Sequence, residues 1–276
     1  KRVIIFSPHP DDDVVSMGGT FDRLVSQGHE VHIAYQVKGN IAVSDHDALK
    51  FIEVSKDMFK NDSKVPVSQL IKELTNNKPD KIDSQAVRDL KGFIRKREAI
   101  AATRYIGIPD SNTHFMNLPF YDTGRIKKNP PTKKDVLITA SLIKKIKPHQ
   151  IFAAGDLEDP HGTHKVCLDI ILDALDTLKS EKFIKDCWLW LYRGAWLDWD
   201  VHDIDMAVPM SPAQVLRKRK AIFFHQTQKD GVMFQGQDLR EFWVRAEERN
   251  SETAEKYKNM GLADYAAIES FKRYYY

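Results

Sequence analysis

The sequence predicts an α/β fold built on βαβ units, and three features near its start support this. Residues 3–6 form a continuous apolar run, which is typical of a strand buried on both faces. A helical pattern follows over about residues 14–27 and ends at Gly28. A second strand-like run covers residues 30–37. Strand, helix and strand in this order form a βαβ unit with an expected right-handed crossover.

The next segment, about residues 45–107, has mainly helical patterns. It is longer than a simple crossover requires, so we expect a helical insertion over one sheet edge or the mouth of a site. Its expected pieces are a helix capped by Ser44 or Asp45, a turn at 61–64, a short helix at 68–74 and an amphipathic helix at 84–105.

Strand and helix patterns continue to alternate further along the chain, which we expect to form a single domain over residues 1–276. The predicted elements are a strand at 113–116, a loop at 122–132, a helix at 133–147, a strand at 150–154, a helix at 162–178, a strand at 187–192 and a helix beginning at Ser211-Pro212.

Composition excludes several classes of protein. Hydrophobic residues make up 42% and charged residues 29%, as in a globular chain with a buried core. The net charge is only +3 and no dense basic block occurs, so we expect no nucleic-acid partner. No apolar run approaches the ~18 residues of a membrane span.

The cysteines and the first residue lead to two further expectations. Cys167 and Cys187 form no C-x-x-C pattern, which argues against a disulfide framework and a thiolate zinc site. We therefore expect a reducing, cytoplasmic compartment. The sequence begins with Lys1 directly on a strand, so we expect a fragment of a longer chain.

Two polar clusters follow two predicted strands. His9, Asp11 and Asp12 come after the strand at 3–6, and His161 and His164 come after the strand at 150–154. Because ligands bind at the carboxyl edge of an open α/β sheet, both clusters are expected at one site.

Two histidines and one carboxylate form a catalytic zinc set that leaves a position open for water. The residue types leave open whether Asp11 or Asp12 is the ligand and which of them is the general base. His161 is the candidate to stabilise an oxyanion or protonate a leaving amine. A plainer interpretation is that such Asp-rich turns cap helices, and Asp13 is expected to be such a cap.

The motifs resemble those of the LmbE-like, or PIG-L, family of N-acetylglucosaminyl de-N-acetylases. The resemblance is carried, in chain order, by Pro8-His9-Pro10-Asp11-Asp12, Gly18-Gly19, Arg95-Lys96-Arg97-Glu98, Asp159-Pro160-His161-Gly162-Thr163-His164 and His225-Gln226-Thr227-Gln228.

The resemblance implies a Rossmann-like three-layer sandwich with a mostly parallel sheet. It implies that His9, Asp12 and His164 bind Zn²⁺ or another divalent metal ion. Asp11 would be the general base and His161 the polarising or acid residue. The implied activity is hydrolysis of a linear amide, the acetamide of an N-acetylglucosamine-type sugar.

Two further residues are candidate substrate contacts. Arg95 is suited to an anionic substrate, although an i,i+3 pair with Glu98 explains it equally well. His225 is a candidate because its neighbours match the family motif.

The chain also departs from the family pattern. Asp13 stands where the family usually has Glu, Gly162-Thr163 stands where it has Pro-Asp, and the turn at residues 36–40 is altered. The change beside His161 leaves its acid role open, and the changed turn suggests different substrate contacts.

The residues of the first and fourth motifs, PHPDDD and DLEDPHGTH, also resemble the deacetylase-like part of bacterial proteins that carry a glucosamine-6-phosphate deaminase domain. That resemblance implies a fused deaminase domain as partner and an amino-sugar phosphate as substrate.

Alternative functions are a non-catalytic sugar-binding or regulatory domain of a larger amino-sugar enzyme, and hydrolysis of a different acyl group. An NAD enzyme is not expected, because the G-x-G-x-x-G spacing is absent. Trp188 and Trp190 are expected in the core, and His114 is expected in the sheet rather than at the site.

Overall fold

A computed structural model describes residues 1–58, 67–76, 82–125, 127–157, 162–194, 197–229 and 240–276. Within these ranges seven strands form one sheet. The strands are β1 (Arg2–Ser7), β2 (Glu30–Tyr35), β3 (Thr113–Phe115), β4 (Gln150–Ala154), β5 (Trp188–Tyr192), β6 (Met206–Met210) and β7 (Ala267–Tyr274).

Helices account for most of the chain between the strands. The helices are α1 (Asp12–Ser26), α2 (Asp45–Met58), α3 (Val67–Thr75), α4 (Gln85–Ile106), α5 (Lys133–Ile146), α6 (Thr163–Thr177), α7 (Pro212–Phe223) and α8 (Phe242–Asn259). The predicted start of α7 is confirmed, since Ser211 caps it with a reciprocal bond to Gln214. The predicted turn at 61–64 lies outside the described residues.

The strand order is β3-β2-β1-β4-β5-β7-β6. The pairs among β3, β2, β1, β4 and β5 are parallel, and both pairs of β7 are antiparallel. The order therefore reverses between β1 and β4, which creates a crevice outside the carboxyl ends of these two strands. The predicted α/β class and the mostly parallel sheet are confirmed.

Helices cover the sheet on both faces and produce three layers. Val3 and Ile5 of β1 face a core shared with α1, α4, α7 and α8. Ile4 and Phe6 face the opposite core, which α5 and α6 complete. Alternate residues of β1 thus enter different cores, which explains why the whole run is apolar.

The predicted helical segment contains a small core of its own. Apolar residues of α2, α3 and the first half of α4 pack together around Ile52, Leu70 and Val87. The second half of α4 instead packs on the main core through Ala99 and Ala102. Helix α4 therefore connects this small core to the sheet.

The antiparallel edge was not predicted from sequence. Strand β7 inserts between β5 and β6 and carries the buried Glu269. Glu269 accepts hydrogen bonds from the backbone N–H groups of Gly19 (2.9 Å) and Thr20 (2.6 Å) in α1. A Cβ at Gly19 would lie within 2.1 Å of the Met210 sulfur, so glycine permits this close approach.

The expectation for the two tryptophans was half right. Trp190 is buried, whereas Trp188 at the first position of β5 is 49% exposed, so its predicted place in the core is wrong. The Arg273 guanidinium lies 3.9 Å from the centroid of the Trp188 ring, which therefore packs against a cation at the surface. His114 lies in β3, as expected.

Candidate metal centre and active site

The loop after β1 curls tightly because its side chains bond its own backbone. The Ser7 hydroxyl donates to the His9 carbonyl at 2.6 Å, and the Asp11 N–H donates to that carbonyl at 2.8 Å. The His9 N–H donates to Oδ2 of Asp12 at 2.8 Å. Helix α1 begins at Asp12, so the loop turns directly into a helix at the carboxyl edge of the sheet.

His9, Asp12 and His164 come together at the crevice between β1 and β4. Their candidate ligand atoms all lie within 4.8 Å of one another. Oδ2 of Asp12 is 3.2 Å from Nδ1 of His9 and 3.2 Å from Nε2 of His164. Asp12 and His164 are buried, and the side chain of His9 is 20% exposed. The centre thus has a route to solvent on the His9 side.

The surroundings of these side chains fit a divalent metal ion. Nδ1 of His164 donates to the Asp156 carbonyl at 2.8 Å, which fixes the ring and leaves Nε2 directed at Asp12. Burial alone would raise the pKa of Asp12, but the charges and hydrogen bonds of His164 and His9 outweigh it and hold this pKa well below its ordinary value. An ionised carboxylate and two imidazoles match the donor set of a catalytic zinc site.

Asp11 has a different environment from Asp12. Its Oδ1 accepts a hydrogen bond from Nη2 of Arg95 at 2.8 Å. Burial raises the pKa of Asp11, and Arg95 opposes this without cancelling it. Adjacent carboxyl groups are thereby shifted in opposite directions, which favours proton transfer by Asp11 and metal binding by Asp12.

Asp13 does not cap α1, so that expectation was wrong. It lies inside the first helical turn, fully buried. Its carboxyl group accepts bonds from the hydroxyls of Ser7 and Tyr35, both at 3.1 Å. Burial raises the pKa of Asp13 to about 7, against the effect of these two bonds. Asp13 therefore stabilises the loop after β1 through buried hydrogen bonds to Ser7 and Tyr35.

Helix α4 connects the first motif to the last one. Arg95 bonds Asp11, whereas Glu98 accepts from the N–H of Thr227 at 2.8 Å and from its hydroxyl at 2.9 Å. Among the described residues, no ion pair joins Arg95 to Glu98, so the i,i+3 interpretation of these residues was wrong. Their spacing instead lets one helix face hold two distant segments together.

His225 lies two residues before Thr227, close enough to Arg95 and Asp12 for their charges to act on its ring. It is fully buried, and neither ring nitrogen has a hydrogen-bond partner among the described residues. Burial, reinforced by the charge of Arg95, lowers the pKa of His225 to about 3, although Asp12 acts in the opposite direction. His225 is therefore a neutral imidazole at physiological pH.

His161, the predicted acid, lies outside the described residues, as does Asp159. Sequence reasoning missed Asp156, whose carbonyl orients His164, and Tyr121, whose ring centroid is 6.1 Å from that of His9. A backbone carbonyl cannot be recognised from residue type, and Tyr121 ends a short 3-10 helix, Pro119–Tyr121, that carries no motif.

A family model for PIG-L, described as GlcNAc-PI de-N-acetylase, matches residues 4–175. The chain belongs to the PIG-L family. It is also 49% identical over 283 residues to a glucosamine-6-phosphate deaminase-like protein of Bacteroides thetaiotaomicron. That alignment covers 99% of this chain and 43% of the relative, so the chain spans less than half the relative's length.

Solved structures share this PIG-L fold at low sequence identity. One is the N,N'-diacetylchitobiose deacetylase of Pyrococcus horikoshii, with TM-score 0.59, 18% identity, and 99% of this chain and 84% of that chain covered. Another is GalB, the 4-carboxy-2-hydroxymuconate hydratase of Pseudomonas putida KT2440, with TM-score 0.60, 15% identity, and 100% and 97% covered. Since one is a deacetylase and the other a hydratase, the fold alone does not define the reaction.

No described helix is both long enough and apolar enough to cross a membrane.

Proposed function

We propose that this chain is a metal-dependent N-deacetylase that removes the acetyl group from an N-acetylglucosamine-type amino sugar or its conjugate. The observation that carries the proposal is the meeting of His9, Asp12 and His164 beside the partly buried Asp11–Arg95 pair. Membership of a de-N-acetylase family supports it.

Three side chains would hold the metal ion, for which Zn²⁺ is the candidate. They are His9, Asp12 and His164, two imidazoles and an ionised carboxylate. Such an ion supplies Lewis-acid polarisation of a carbonyl and acidifies water.

Asp11 is the proposed general base. Its raised pKa lets it accept a proton from the attacking water and pass it on to the departing amine. Arg95 holds the Asp11 carboxylate in place at 2.8 Å. His161, which lies outside the described residues, is the proposed second proton carrier, as the family resemblance implies.

Arg95 and His225 are the proposed substrate contacts. Nε and Nη1 of Arg95 are buried and have no hydrogen-bond partner among the described residues, like both ring nitrogens of His225. Buried polar groups are normally paired, so these atoms are candidates to bind oxygen atoms of the substrate.

The test is acetate release from N-acetylglucosamine derivatives, with and without a chelator. We expect release to stop in chelator and to return with Zn²⁺. Asp11→Asn should lower kcat by about 10²- to 10⁴-fold. Asp169→Asn is the matched control, because Asp169 also pairs with a cation, Lys165, but on the exposed face of α6.

Thermal melting of Asp11→Asn shows whether the variant folds, since the change also leaves Arg95 without its carboxylate. Release that continues in chelator and in folded Asp11→Asn would overturn the proposal. Binding of acetylated sugars without any release would favour the alternative of a non-catalytic sugar-binding domain, which the Gly162-Thr163 departure motivates.

A further inference from the structure

Two adjoining cavities, which share Lys38 and Asn117 in their linings, lie beside the loop after β1. The larger cavity, about 290 Å³, is lined by Lys38, Asn117, Tyr121 and Asp122 together with Leu118 and Pro119. The smaller cavity, about 80 Å³, extends to Pro10. We call the two cavities together the Lys38 pocket.

The Lys38 pocket adjoins the candidate metal centre. Pro10, in its wall, lies between His9 and Asp11. Tyr121, in its opposite part, has its ring centroid 6.1 Å from that of His9. The two rings are in edge-to-face contact, so Tyr121 connects the pocket to the metal centre. A substrate with its acetamide at that centre can therefore place another substituent in the pocket.

Two lysines lie in or beside this pocket: Lys38 is part of its lining, and Lys128 stacks on the ring of Tyr121, which also lines it. Nζ of Lys38 is 3.2 Å from Oδ1 of Asp89 and 3.6 Å from Oδ2 of Asp122. Nζ of Lys128 lies 3.7 Å from the centroid of the Tyr121 ring and donates to the Arg125 carbonyl at 2.7 Å.

Lys128 forms no ion pair among the described residues, although the charge of Asp122 acts on it. No carboxylate of the described residues lies within ion-pair distance of it, and burial lowers its pKa to about 8, although Asp122 opposes this. A partly buried ammonium group without a carboxylate is stabilised when an anion binds beside it.

The backbone holds this pocket in a defined shape. Asn117 adopts a φ of 48°, which is unusual for a residue other than glycine and marks a strained position. Gly39, with a φ of 63°, brings the turn after β2 so close that a Cβ would lie 3.0 Å from Pro10. Lys38 therefore projects from a turn packed directly on the loop that carries Asp11, and this is the turn that departs from the family pattern.

We propose that the Lys38 pocket binds the phosphate group of a phosphorylated N-acetylated amino sugar, with Lys38 and Lys128 as its cationic contacts. The proposal rests on the N-deacetylase function proposed above and specifies its substrate class. A phosphate carries up to two negative charges and can accept from both ammonium groups. The carboxylate of Asp122, which is 38% exposed, can turn to solvent when the anion enters.

The experiment compares kcat/KM for N-acetylglucosamine 6-phosphate, N-acetylglucosamine 1-phosphate and N-acetylglucosamine. The wild-type enzyme should prefer one phosphorylated sugar by at least about tenfold, the effect of one good charge-assisted hydrogen bond. Lys38→Met and Lys128→Met should each reduce this preference by about tenfold, chiefly through KM, and Lys38→Arg should retain most of it.

Lys144→Met is the matched control. Lys144 also pairs with a carboxylate, Glu181 at 2.6 Å, but on α5 away from the pocket. The control should keep the wild-type preference. No preference in the wild type, or an equal preference in Lys38→Met, Lys128→Met and the wild type, would overturn the proposal.

Calorimetric binding of glucosamine 6-phosphate separates this proposal from the proposed function. We expect it to bind more tightly than glucosamine, and Lys38→Met to remove the difference even if no acetylated sugar is hydrolysed. Absence of acetate release with intact binding would overturn the deacetylase function alone. Equal binding of both sugars by the wild type would overturn the phosphate pocket alone.

Discussion

Two clusters of buried charge lie along the same helix, α1, and they differ in how completely their polar groups are paired. The first, here the anchor cluster, consists of Lys218, Glu269 and Asn250 with the N–H groups of Gly19 and Thr20. Nζ of Lys218 donates to Oε1 of Glu269 at 2.8 Å and to Asn250 at 2.7 Å. Both oxygens of Glu269 also accept from α1, so the cluster is closed.

The second, here the loop cluster, is open by contrast. Its members are His9, Asp11, Asp12, Arg95, His164 and His225. Two nitrogens of Arg95 and both ring nitrogens of His225 lack partners among the described residues. One oxygen of Asp12 lies 3.2 Å from two imidazoles. A fully paired buried cluster fixes structure, whereas an incompletely paired one is expected where a ligand completes it.

The largest difference between the clusters should appear on removing one member of the loop cluster. His164→Ala should lower metal affinity by at least about 100-fold and abolish acetate release, because one of three ligands is lost. Elemental analysis after dialysis measures this.

The matched control is His114→Ala, which removes a histidine of β3 that pairs with His32, 3.1 Å away. It should retain the metal. Equal metal content in His164→Ala and the wild type would show that the loop cluster is not the metal centre.

The next largest effect concerns the anchor cluster. Lys218→Met should destabilise the fold by about 3–5 kcal/mol, since it leaves the Glu269 carboxylate buried without its cation. The midpoint of urea unfolding measures this. Metal content per folded molecule should stay unchanged, which separates the two clusters.

Lys165→Met provides the comparison for that measurement, because Lys165 pairs with Asp169 in an exposed i,i+4 bridge. It should change stability by less than about 1 kcal/mol. A similar small change in Lys218→Met would mean that the closed cluster contributes no more than a surface pair.

A third effect, which develops only on acidification, is a pH dependence due to His225. Its pKa is about 3 in the folded protein, below its ordinary value of 6.5. As pH falls below 6.5, His225 binds a proton in the unfolded chain but not in the folded protein. The free energy of unfolding therefore decreases with acidification. The free energy of unfolding should fall by about 1.4 kcal/mol per pH unit from this group between pH 6.5 and 3.

His225→Asn should reduce that slope by one proton in the metal-free protein, measured by urea unfolding at a series of pH values. His202→Asn, at a histidine whose side chain is 80% exposed, should leave the slope unchanged. An unaltered slope in His225→Asn would show that the imidazole is not held neutral.

The elements that depend on local pattern could be predicted from the sequence. The strands at 3–6 and 150–154 were recognised because each is buried on both faces and therefore continuously apolar. Each is followed by a polar cluster at the carboxyl edge of the sheet, so the sequence alone predicts that His9, His164 and a carboxylate come together. The residue types alone leave open which aspartate would bind a metal ion and which would transfer a proton, and only the family resemblance implies an assignment. The contact that distinguishes the two carboxyl groups, Arg95 with Asp11, comes from a distant helix.

The predictions that failed, or could not be made, concern residues whose environment depends on contacts distant in sequence. The antiparallel strand β7 contains Glu269, Lys272 and Arg273, charges that a central strand rarely carries. The sequence does not show that Glu269 has partners in α1 and α7. Trp188 was misplaced because it lies at the first position of β5, where an alternating pattern no longer guarantees burial. Aspartate is a preferred capping residue, yet Asp13 is buried inside the first turn of α1, where its carboxyl group bonds Ser7 and Tyr35.

The bonds from Glu269 to α1 join positions 250 residues apart and have a consequence for synthesis in the cell. At about 5–20 residues per second, roughly 10–50 s separate the emergence of Gly19 from that of Glu269. The loop with His9 and Asp12 is therefore synthesised well before Glu269, and α1 lacks its bonds to β7 until that strand has been synthesised. Contacts of such range also slow folding. We expect tight metal binding to begin only after Glu269 has left the ribosome.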